Sequence, residues 1–149
     1  MASFIRVSKA GVIALHAMVL MARHPQQPVH AKTIAEQLKI SEAHLVKVLQ
    51  RLTCAGYVQG IRGPSGGYLL AQAPQKISLL QIYEAMEGPS GDTECLFRMR
   101  KPCQQCLLEA LTTFLNQQVR KYLAQTRLSA FKNVQIGTGK VSTKKNNSK

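Results

Sequence analysis

The feature that most constrains this chain lies between Ala31 and Gln72, where the hydrophobic period changes once, from helical to alternating. Ile34, Ala35 and Leu38 give the segment 31–38 one apolar face, and a short Lys39-Ile40-Ser41 turn follows. Ser41 can accept hydrogen bonds from the orphan amides of a new first turn, so it predicts a second helix over 42–55. Leu45, Val48, Leu49 and Leu52 form the buried stripe of that helix. Its other face carries Ala43, His44, Lys47, Gln50 and Arg51, which are short, hydrogen-bonding or cationic. This is the length and pattern of a helix-turn-helix whose second helix can enter a major groove and read base edges.

After Gly56 the pattern is that of two short strands, 57–62 and 68–71, joined by Gly63-Pro64-Ser65-Gly66-Gly67. A hairpin directly behind a recognition helix reads as a wing. Arg62 enters its turn, placed to reach a minor groove, where narrow A·T-rich sequence favours an inserted guanidinium.

Charge points to the same class of partner. The 149 residues carry 20 Lys and Arg against 7 Asp and Glu, a formal net charge of +13, with a pI near 10.0. A polyanion is the expected partner, nucleic acid ahead of an anionic membrane surface. The length is that of one domain with appendages.

The remaining segments read in order as follows. Residues 12–22 are almost continuously apolar, but too short for a bilayer, which needs about 20 apolar residues. His16 interrupts the run and no small-x-small cleavage site follows it, so a buried first helix, capped by Ser8 and ending before Pro25, is preferred to a signal peptide. His16 is expected to be a hydrogen-bonded core residue. Ser78-Leu-Leu-Gln81 is a capping box opening a short packed helix that stops at Gly88-Pro89. Periodicity then disappears until Cys103. From Gln104 to about Gln125 it returns through Leu107, Leu108, Leu111, Phe114, Leu115, Val119, Tyr122 and Leu123, a stripe longer than a small winged helix can cover alone. It predicts a two-fold dimer interface. One more turn is expected over 129–134. The tail, residues 140–149, is polar and basic and expected to be disordered.

Four cysteines are present, Cys54, Cys95, Cys103 and Cys106. Cys54, beside the buried stripe, is expected to be a small core residue. The other three fall close together in an aperiodic stretch, which suits a metal or redox site in the reducing cytoplasm better than a disulfide framework. Cys103 and Cys106 can converge two thiolates on one ion and Cys95 adds a third, leaving a four-coordinate site one ligand short. A Cys-x2-Cys oxidoreductase would need a βαβ setting, which is missing around Cys103, so an enzyme is not expected.

Leu-Thr-Cys-Ala-Gly-Tyr-Val at 52–58, and above all the run from Arg62 through Gly66-Gly67-Tyr68 to Ala71, resemble the winged-helix regulators typified by IscR, NsrR and RirA, over roughly residues 5–125. That resemblance implies a homodimeric bacterial transcription factor binding double-stranded DNA at a near-palindromic operator, many relatives sensing iron, nitric oxide or redox state through an iron–sulfur cluster. The fold it implies is mainly α with a small β-hairpin wing, a winged helix-turn-helix domain plus a long dimerisation helix. The expected division is 1–89 for the winged domain, 90–106 for the cysteine loop, 104–136 for the dimerisation helix and 137–149 for the tail. The expected DNA contacts are Ala43, His44, Lys47, Gln50, Arg51, Arg62, Gly63, Ser65, Gly66 and Tyr68; the expected metal ligands are Cys95, Cys103 and Cys106. The implied occupant is an iron–sulfur cluster, 2Fe–2S ahead of 4Fe–4S, with zinc or a thiol–disulfide sensor as alternatives. The cysteine spacing departs from the family's commonest one, and Glu109 stands where some relatives carry a histidine. His16, Glu109, Asp92 and Glu94 are therefore the candidates for the fourth ligand, His16 reaching across a dimer. A nonspecific basic RNA-binding protein is the rival reading, separated by whether binding follows duplex sequence.

Overall fold

Ser8 caps the first helix, α1 (Lys9–Arg23), its Oγ accepting from the Gly11 amide at 3.0 Å. The protein is described here from a computed structural model, which covers residues 7–89 and 109–134. Cys95, Cys103, Cys106, Asp92, Glu94 and the basic tail, for which the sequence sets expectations, lie outside those residues. Within them α1 is the central element: Ala14, Ala17, Met18 and Ala22 are fully buried, and Ile13, Leu20 and Met21 nearly so. Its small residues let a neighbour come close. A Cβ at Gly11 would stand 2.6 Å from a carboxylate oxygen of Glu87.

The helix-turn-helix follows the sequence pattern closely. Helix α2 (Ala31–Leu38) buries Ala31, Ile34 and Ala35, and α3 (Glu42–Cys54) buries Leu45, Val48, Leu49 and Leu52. The turn between them is made by Lys39 in the left-handed region at φ 54, which lets the Lys39 and Ile40 amides return to the Glu36 and Ala35 carbonyls. Ser41 caps α3, accepting from the His44 amide at 3.4 Å. Gly56, at φ 79, ends the helical period, and the hairpin follows as β1 (Val58–Ile61) and β2 (Gly67–Leu70), antiparallel, with Val58 opposite Leu70 and Ile61 opposite Gly67.

The capping box forms as the sequence suggests at the start of α4 (Leu79–Glu87): the Gln81 amide donates to Ser78 Oγ at 3.3 Å, and the Ser78 amide to Gln81 Oε1 at 2.8 Å. Helix α4 packs on α1 and α3, and α5 (Glu109–Gln125) packs on α4. After α5 the chain pairs with the start of α4, the Leu128 amide donating to Ile77 and the Leu79 amide to Thr126. The turn expected over 129–134 is a short 3₁₀ segment, Leu128–Phe131, that drives Leu128 fully into the core.

Two burial expectations are corrected. His16 is exposed, not a core residue: its Nδ1 lies 2.7 Å from the Val12 carbonyl oxygen of its own helix, and Val12 beside it is also exposed. Cys54 is exposed as well, because the final turn of α3 rotates it off the Leu45–Leu52 stripe. The long apolar stripe of α5 divides in two. Leu123 packs against the core, whereas Leu111, Phe114 and Tyr122 are 52%, 55% and 60% exposed.

Candidate nucleic-acid interface

Helix α3 is held by its apolar stripe, so its opposite face is fixed as well. Ala43, Lys47 and Gln50 lie on that face and are exposed, with His44 half-buried at its edge. Their i, i+4 and i+7 spacing aligns them along one side of the helix. Arg51 behaves differently. Its Nη2 donates to the carbonyl of Met86 at 2.7 Å and of Ala85 at 3.4 Å, two acceptors in the last turn of α4. The guanidinium thus satisfies carbonyls that a helix end leaves open, a favourable place for a cation.

The wing owes its shape to three glycines. Gly63 takes φ 110 and Gly67 φ 145, and a Cβ on Gly67 would lie 2.6 Å from the Val29 carbonyl oxygen. Gly66 is required by sterics alone, since a Cβ there would stand 2.2 Å from the Ile61 carbonyl oxygen and 2.8 Å from that of Gly63. Its amide closes the turn on Gly63 at 2.9 Å. Arg62, Gly63, Pro64 and Ser65 are left exposed at the tip, and Gly66 is buried beneath them. Tyr68 is half-buried, and its backbone exchanges two 2.8 Å hydrogen bonds with Val29. That bridge ties β2 to the residues just before α2, so the wing and the start of the helix-turn-helix are held as one body.

Between them runs an open groove of about 750 Å³. The start of α2 supplies His30, Ala31, Lys32 and Thr33, α3 supplies Glu42 and Val46, and the hairpin supplies Gly60, Ile61, Arg62, Gly67 and Tyr68. His30 makes no side-chain cap bond to α2. The first-turn amides of that helix, with Lys32 and Thr33 beside them, therefore form a positive end suited to a phosphate, while Arg62 supplies the opposite rim. Sequence reasoning missed His30, Lys32, Thr33, Glu42 and Val46. The start of α2 was legible as a helix terminus, but only the Val29–Tyr68 bridge shows that it faces the wing.

No group of three or more His, Cys, Asp or Glu side chains that could hold a metal ion occurs among the described residues. His16 is on the surface of α1, with Nδ1 at 2.7 Å from the Val12 carbonyl oxygen. The side chain of Glu109 falls outside the described set. No helix among the described residues is long and apolar enough to cross a membrane.

A buried-stripe recognition helix, a preceding helix at a left-handed turn, and a glycine-built hairpin behind them define a winged-helix DNA-binding protein. Residues 7–133 match the Rrf2 family, described as iron-dependent transcriptional regulators, and the chain belongs to that family. Among its relatives is the HTH-type transcriptional regulator IscR of Photorhabdus laumondii, 32% identical over 134 residues that make up 87% of this chain and 80% of that protein. BadM of Rhodopseudomonas palustris, named as an HTH-type transcriptional regulator, is 36% identical over 89 residues, 60% of this chain and 57% of that protein. Among solved structures, CymR of B. subtilis, titled a global cysteine regulator, superposes with a TM-score of 0.74 at 27% identity, covering 86% of this chain and 98% of that one. The protein is accordingly a DNA-binding transcriptional regulator and not an enzyme.

Proposed function

We propose that the protein is a cytoplasmic homodimer that places two α3 helices in successive major grooves of a near-palindromic operator, and that its cysteine segment sets the affinity. The observation that carries the DNA-reading part is the free polar face of α3 beside a groove with Lys32 on one rim and Arg62 on the other. Lys47 and Gln50 face base edges and phosphates, the first turn of α2 takes a phosphate, and Arg62 at the wing tip enters the flanking minor groove. Gly63, Ser65 and the backbone around Gly66 follow the sugar-phosphate chain at that tip. The dimer is supported by Leu111, Phe114 and Tyr122, an apolar face on α5 that the other described residues leave uncovered.

The sensing part rests on the three closely spaced thiols Cys95, Cys103 and Cys106. Thiolates at this density suit an iron–sulfur cluster, 2Fe–2S ahead of 4Fe–4S, with His16 of a partner, Glu109, Asp92 or Glu94 completing the set. Such a cluster, when bound, supplies a centre whose oxidation or loss reports the redox state. Reversible thiol oxidation is the second reading, supported by the likeness to Staphylococcus aureus CymR, solved in an oxidized form, and zinc held by the same thiols is the third.

The route from these thiols to the reading head runs through α4. That helix ends at Glu87, shortly before the cysteine segment begins, and its last turn is tied to both neighbours. Arg51 of α3 holds its Ala85 and Met86 carbonyls, and Ser8 of α1 donates to Glu87 from Oγ at 2.5 Å and from its amide at 3.2 Å. A pull on the end of α4 is therefore passed to the end of α3. Arg51 acts in this account as the tie between sensor and recognition helix. Operator affinity measured on anaerobically purified protein and on protein stripped with chelator tests the coupling: a difference of fivefold or more, the usual lower range of allosteric coupling, is expected. Equal affinity at every operator would refute the sensing role.

A further inference from the structure

The geometry points to Glu42 as a base-reading residue that selects cytosine at one symmetric pair of operator positions, an inference that rests on the DNA-reading role proposed above. Glu42 is the first residue of α3, exposed, and it lines the groove beside Arg62, Lys32 and Thr33. Among the described residues it is the single acidic one on that lining. Glu84 and Glu87 have structural occupations, Glu84 pairing with Arg120 at 2.8 Å and Glu87 receiving Ser8, and Glu36, though exposed on α2, is not on the groove lining. Among the described residues no hydrogen bond or ion pair engages the Glu42 carboxylate.

A carboxylate at this place is costly against a polyanion. Phosphate oxygens repel it, and in the major groove so do guanine N7 and O6 and thymine O4, all acceptors. Adenine offers an N6 amino donor, but its N7 acceptor lies alongside and repels the second carboxylate oxygen. Cytosine offers N4 as a donor with no acceptor of its own beside it, and is the base that rewards Glu42. The N-terminal turn of a recognition helix is the part that meets base edges, which is where Glu42 stands. The same position also suits the positive end of the α3 dipole, a role that any acid or polar residue there would share in part. Only the base-reading role carries sequence information.

The test is selection from randomised duplexes by the full-length protein, followed by affinity measurements on the selected site, for wild type, Glu42→Gln and Glu42→Ala. Wild type is expected to select cytosine at two symmetric positions, and replacing that base should weaken binding roughly five- to hundredfold, the cost of one mismatched pair. Glu42→Gln exchanges an acceptor pair for an amide that donates and accepts, the pattern that suits adenine N6 and N7, so its preference should move from cytosine to adenine at the same positions. Glu42→Ala should lose preference there and keep the rest of the site. A uniform gain in affinity on all duplexes with the selected sequence unchanged would assign Glu42 to phosphate repulsion and overturn the inference. Wild-type protein that selects a site without cytosine at such positions would overturn it too. Wild-type binding that ignores sequence altogether would instead overturn the operator-reading role and this inference with it.

Discussion

Helices α3 and α5 are both amphipathic, and among the described residues both leave one face uncovered, yet the two faces are opposite in kind. On α3 the stripe Leu45, Val48, Leu49 and Leu52 is buried and the free side is Ala43, Lys47 and Gln50. On α5 the side turned to α4 carries Arg120, paired with Glu84, while Leu111, Phe114 and Tyr122 face outward. Burial alone does not distinguish a recognition helix from an association helix; the chemistry left outside does. Polar and cationic groups over a rigid apolar stripe suit a hydrated polyanion, whereas large apolar groups in the open suit a second protein surface.

The largest expected effect breaks the association side of this contrast. Leu111→Glu with Phe114→Glu places two carboxylates on the outward face of α5 while leaving Leu123 and Leu128 in the core. Truncating anchors of this size typically costs 2 kcal/mol or more, so the dimer dissociation constant should rise roughly thirtyfold or more, measured by analytical ultracentrifugation. An unchanged sedimentation coefficient across concentration would remove α5 from the interface. On the reading side the effect is smaller and more selective. Arg62→Ala should cost about 1 to 3 kcal/mol at A·T-rich flanking positions and little elsewhere, seen in competition binding against sites with G·C flanks. If both kinds of site weakened equally, Arg62 would be a phosphate contact only.

How much of this was legible beforehand depended on the range of the interactions. The α3 stripe, the Ser8, Ser41 and Ser78 caps and the hairpin could be read because each is settled by residues within a turn or two. Arg51 was read only as a DNA contact, because the acceptors it also reaches, Ala85 and Met86, lie more than 30 positions away and local spacing does not reveal them. His16 and Cys54 were misjudged for a related reason. Each sits next to a buried run, and which side of the helix is covered depends on how α1 and α3 are met by the rest of the chain. The groove escaped notice because it needs the bridge from Val29 to Tyr68. The glycine-rich turn announced flexibility, but only geometry separates Gly63, which needs a positive φ, from Gly66, which needs an absent side chain.

The smallest expected effect concerns the scaffold that both faces share. Lys39 holds a left-handed conformation between α2 and α3 that costs an L-residue about 1 kcal/mol. Lys39→Gly should therefore stabilise the protein by up to about that amount in urea unfolding, without changing which duplexes are chosen. A loss of stability would mean that the lysine side chain has a compensating role in the turn.

In the proposed function two copies of the α3 and wing unit read one duplex together. Hydroxyl-radical footprinting of the full-length protein on its selected site tests it most directly. Two protected half-sites are predicted, with centres about one helical turn, roughly 34 Å, or a multiple of it apart, each losing its minor-groove protection when Arg62→Ala is used. A single protected patch without two-fold symmetry, or even protection along any duplex, would contradict it.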